Sequence, residues 1–96
     1  MSVADTVADK LDAALDRFHK ALASTDDDEI GKAEDAVFDQ AHETVVVLEA
    51  LGYANHHLVT EGLTIKISSI MWSVPSSITL VRDVRYLLRA AAGQQY

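Results

Sequence analysis

Residues 56–74, HHLVTEGLTIKISSIMWSV, decide whether this chain is built from helices alone. Val59, Leu63, Ile67, Ile70 and Val74 recur at spacings of 4, 4, 3 and 4, the repeat of one face of an α-helix. Within the same stretch, Leu63-Thr64-Ile65-Lys66-Ile67-Ser68 alternates apolar with polar and is rich in β-branched residues, which suits a strand. The helical stripe runs over more residues, and no second alternating run exists to pair with a strand. Helix is the expected state, and 63–68 is where a strand would appear if the chain held one.

The flanking sequence reads as helix more directly. In 2–23, Ser2 is a good N-cap with Asp5 three residues on. Val7, Leu11, Ala14, Phe18 and Ala21 then mark one face, widened by Val3, Leu15 and Leu22. Ser24-Thr25-Asp26 breaks the run and caps a second segment, 27–51, in which Ile30, Ala33, Val37, Ala41, Val45 and Leu48 share a face before Leu51-Gly52 ends it. So short a connection predicts an antiparallel αα-hairpin. Pro75 favours an extended residue before it and is expected to end the third element. A fourth helix over 77–92 follows, with Leu80, Val84, Leu87 and Ala91 on one face and Gly93 closing it. The expected architecture is a single all-α domain over 1–96, an N-terminal αα-hairpin packed on two C-terminal helices.

Composition narrows the function. The chain has 96 residues, 49% of them hydrophobic, and a net charge of −7, with no cysteine to form a disulfide, a zinc-thiolate site or a thiol nucleophile. Residues 1–50 carry a net −9 and residues 51–96 a net +2. A phosphate-binding surface needs excess cations, so nucleic acid is not an expected partner. No basic leader and no spanning apolar run is visible, so the expected setting is cytoplasmic, away from a membrane. Abundant Ala, Asp and Val with only four lysines hint at a GC-rich genome or a phage of such a host.

Several constellations invite a catalytic or metal reading. Asp16/His19 and Asp39/His42 are Asp-x-x-His pairs, one on each hairpin helix. They resemble the Glu-x-x-His motif of ferritin-like di-iron proteins, which projects into a bundle core. On a helical wheel His19 lies about 85° and Asp16 about 145° from the middle of the apolar face, and His42 and Asp39 lie further round still, so all four are expected to face outward. Asp26-Asp27-Asp28-Glu29-Ile30-Gly31 opens like an EF-hand loop but has Ile30 and Val37 where ligands are required. His56, His57 and Glu61 supply too few ligands alone. The small secreted WXG-type hairpins carry Trp-x-Gly between their helices, whereas Trp72 is followed here by Ser73-Val74. No catalytic residue, metal or cofactor is expected.

The remaining pattern points to association. Leu58, Ile65 and Trp72, spaced by 7 and 7, fall on the side of the third segment opposite its main stripe. A helix apolar on both sides is buried on both, either as the centre of this fold or against a second subunit. Asp5, Asp9, Asp12 and Asp16 form an acidic stripe, and Arg82, Arg85 and Arg89 a basic one. Each is either a solvated helix face or a recognition surface. The expectation is a non-catalytic assembly or adaptor protein that binds itself, and another protein in some settings. The alternative is an acidic inhibitor that mimics nucleic acid and holds a basic partner on its N-terminal helices.

Overall fold

Capping residues set the helix boundaries. In a computed structural model describing residues 2–52 and 62–93, the chain forms α1 (Val3–Ser24), α2 (Asp27–Ala50), α3 (Leu63–Ile70) and α4 (Val74–Gly93). No strand occurs among the described residues, so 63–68 is helical. Ser2 Oγ accepts the Asp5 amide N–H at 3.1 Å and donates to the Asp5 carboxylate at 3.0 Å, closing a box at the start of α1. Asp26 Oδ1 accepts the N–H groups of Asp28 and Glu29 at the start of α2. Between these caps Thr25 turns the chain with φ 58°, a left-handed conformation that a β-branched residue adopts at a cost.

The third and fourth elements differ from the sequence expectation at their boundaries. Gly62, with φ 85°, cannot continue a helix through itself, so α3 starts only at Leu63. Residues 53–61, including Leu58, His56 and His57, lie outside the described part. At the other end α3 stops at Ile70, and Met71-Trp72-Ser73 form a turn. Val74 belongs to α4 and not to α3. Ser73 caps α4, its Oγ accepting the Ser76 N–H at 3.4 Å and its carbonyl the Ser77 N–H at 3.0 Å. Pro75 therefore lies in the first turn of α4. There its missing N–H has no partner to lose, and Met71, four residues back, lies outside the helix, its carbonyl turned to His19. The constraint on the residue before proline yields to this capping geometry.

The centre of the fold is α1. Its buried face comprises Ala4, Val7, Ala8, Leu11, Leu15, Phe18 and Ala21, wide enough to meet α2 on one side and α4 on the other. The short α3 packs mainly on α2, through Leu63 and Ile67. Phe18, Leu11, Leu48, Ile67, Met71 and Leu88 are fully enclosed where the helices meet. On α4 the buried ladder is Ser77, Leu80, Val81, Val84, Leu88 and Ala91, and Leu87 is half-buried against the same core. Thr44 is buried on α2 and donates its hydroxyl to the Gln40 carbonyl at 2.8 Å, which satisfies it within its own helix.

Two substitutions test this account by urea denaturation. Phe18→Ala empties the enclosed site at the helix junction and should cost about 3–5 kcal/mol. Thr25→Gly removes the left-handed penalty in the hairpin turn and should stabilise the fold by about 1 kcal/mol.

Candidate interaction surface

The basic and acidic stripes meet within one chain. α1 and α4 run antiparallel, which places Asp5 beside Arg89, Asp9 beside Arg85 and His19 beside Ser77. Arg85 donates to Asp5 at 3.1 Å and to Asp9 at 2.6 Å, and Arg89 donates to Asp5 through Nε at 2.8 Å and Nη2 at 2.7 Å. Asp5 thus anchors two guanidinium groups. The Arg89 hydrogen bond holds its carboxyl below the usual carboxylate range, against a partial loss of hydration, with Arg85 and Ser2 adding to the effect. The Arg85 guanidinium is held above its ordinary value by Asp9 and Asp5. These groups are solvent-accessible, so the seam orients α4 on α1 more than it stabilises the fold.

The other residues of the two stripes stay open. Among the described residues Arg82 pairs only with its sequence neighbour Asp83, at 4.0 Å, and Asp16 pairs with Lys20 at 2.9 Å along α1. Asp12 has no ion pair among the described residues. Asp12 and Asp16 instead line a cleft of about 190 Å³ between α1 and α4, with Leu15, His19, Val74, Ser77 and Ile78.

His19 does not face solvent as the helical wheel suggests. It is half-buried, and its Nε2–H donates to the Met71 carbonyl at 2.7 Å, with Ser77 Oγ 3.5 Å from the same nitrogen. At the edge of the apolar face the imidazole reaches across to the turn between α3 and α4 and ties that turn to α1. The signal available in the sequence was Ser77, a small polar residue in register with the core ladder of α4. His42 and Asp39 are exposed on α2, and the described residues contain no group of three His, Asp or Glu able to hold a metal ion.

Beside this tie lies an apolar corner. Trp72 packs its ring edge-on against Phe18 at 5.1 Å yet is 58% exposed. Val74 and Ile78 follow on α4 at 48% and 62% exposure. Ile65 is 71% exposed on α3, but because α3 ends at Ile70, Ile65 and Trp72 do not share one continuous helix face. The sequence reasoning missed Val74, assigned to the third helix, and Ile78, which belongs to neither the core face nor the basic stripe.

A groove of about 350 Å³ between α3 and α4 is lined by Lys66, Ile70, Pro75, Ser76, Thr79, Leu80 and Asp83. No described helix is long and apolar enough to cross a membrane. No protein-family model, curated protein or solved structure matches the chain.

The ionic seam predicts a pH dependence with a definite sign. A carboxyl whose pKa is lowered on folding adds stability above its unfolded value and loses it as pH falls through the folded value. Stability should therefore decline as the solution is acidified below the ordinary carboxylate range. Asp5→Asn should flatten that part of the profile, and added salt should shrink the difference between the two proteins.

Proposed function

We propose that this protein is a non-catalytic interaction module that associates with itself through the corner around Trp72. The observation that supports this reading is the exposure of Trp72 together with that of Val74 and Ile78, which line a cleft shared with Asp12 and Asp16. Contiguous apolar surface rimmed by polar groups is characteristic of protein contact sites. A tryptophan has up to about 250 Å² of surface; with Trp72 58% exposed, roughly 145 Å² is left to bury, about 3–4 kcal/mol at about 25 cal/mol per Å² before the costs of association. A symmetric dimer is the simplest product, because one patch then covers its own copy.

The acidic-mimic alternative has less support. It needs the carboxylates of α1 directed at a partner, and Asp5 and Asp9 are engaged by arginines of the same chain.

Sedimentation velocity between about 1 and 100 µM, a range suited to interfaces of modest affinity, tests the proposal. The wild type should form a dimer within that range, and Trp72→Glu should be a folded monomer. Because Trp72 also covers Phe18, Ile78→Glu provides a second variant whose exposed position spares the core. A wild type that is monomeric throughout overturns the proposal, as does a dimer that neither variant weakens.

A further inference from the structure

The outer face of α4 repeats in a way the core face does not. Val74, Ile78, Arg82 and Tyr86 are all exposed, at 48%, 62%, 77% and 73%, and each is four residues from the next. Such a row forms one ridge on the helix surface, about 18 Å long. Two of its features lack a counterpart in the monomer. Among the described residues Tyr86 is the most exposed large ring, and Arg82 has only an adjacent carboxylate at 4.0 Å. Immediately beside Ile78, the cleft between α1 and α4 holds Asp12, a carboxylate with no ion pair.

We infer that the ridge Val74–Ile78–Arg82–Tyr86 is the self-association surface, two copies crossing antiparallel so that Arg82 of each enters the Asp12/Asp16 cleft of the other. This inference rests on the proposed self-association and specifies its geometry. The ridge is self-complementary about a two-fold axis near residue 80. Val74 then faces Tyr86 of the second copy, and Ile78 faces the aliphatic stem of Arg82. That stem covers the apolar floor made by Leu15 and Ile78, while its guanidinium reaches the carboxylates on the rim. Packing one such ridge into the groove of its copy gives helices crossing at about −50°, the commonest class in globular proteins. With Trp72 bordering one end and Tyr86 at the other, 58% and 73% exposed, each ring offers roughly 90–180 Å² toward the about 800 Å² per partner of a stable interface. A second copy fits better than an unrelated basic helix, because the required cation stands on the same ridge at the matching register.

A charge swap tests this. Arg82→Glu and Asp12→Arg alter exposed residues, of which Arg82 has only a long contact to its neighbour Asp83 and Asp12 no ion pair among the described residues, so circular dichroism should show both folded. Each single variant should weaken dimerisation by about tenfold or more, through repulsion in a cleft built for opposite charges. The double variant Arg82→Glu/Asp12→Arg should recover most of the wild-type association. A wild-type dimer that Arg82→Glu leaves intact, or single variants that the double fails to rescue, overturns this geometry while self-association stands. A wild type that is monomeric overturns both.

Discussion

The width of the apolar face of α1 is the constraint on which this structure depends. A helix that buries a narrow stripe can dock on one neighbour. α1 buries a face from Ala4 through Ala21 and so receives α2 and α4 together. Small residues make this possible: Ala4, Ala8 and Ala21 bring neighbouring backbones close, while Leu11, Leu15 and Phe18 fill the space between them. Since α2 and α4 both lean on α1, the placement of α3 follows. It is left with the remaining side of α2, and its short length suits that limited contact.

From this arrangement the surface chemistry also follows. Docking α4 antiparallel on α1 brings the N-terminal acids against the C-terminal arginines, so half of an apparently acidic face is neutralised within the chain. The neutralisation is uneven. It is complete at Asp5, Arg85 and Arg89, reduced at Arg82 to a 4.0 Å contact with the adjacent Asp83, and absent at Asp12 among the described residues. The same packing that satisfies one end of the α1–α4 seam leaves the Asp12 carboxylate without an ion pair among the described residues and the Arg82 guanidinium with only a long contact to Asp83, close to the exposed apolar side chains.

Much of the fold was legible in the residues. The hairpin followed from apolar spacing and from Ser2 and Asp26, whose side chains act locally and so declare themselves locally. The helical state of 63–68 followed from the longer period and the lack of a strand partner. The boundaries of the last two helices were less legible, because Gly62 and Pro75 each allow more than one reading. A glycine inside a periodic stripe is either tolerated or a break, and a proline after Ser73-Val74 either stops one helix or sits in the first turn of the next. Ser73 decides the second case through its cap. The role of His19 was hidden for a different reason. A helical wheel gives direction around one helix, whereas the Met71 carbonyl that binds His19 arrives from a turn 52 residues away. The two charge stripes were plain in sequence, but their pairing within one chain depended on the antiparallel register of α1 and α4.

The seam between Asp5 and Arg89 joins points 84 residues apart along the chain. The hairpin of α1 and α2, by contrast, closes across a two-residue turn. Ordering a long loop before its contacts reward it is slow, so the hairpin is expected to assemble first and α4 to dock afterwards onto a face already half covered. Weakening the seam then acts on the lifetime of the folded state more than on the speed of reaching it. The last helix, which carries the exposed ridge, is held by the contacts that arrive last. A second copy seated on that ridge would hold α4 in place from outside, so the persistence of the monomer's fold and the stability of the assembly become one quantity.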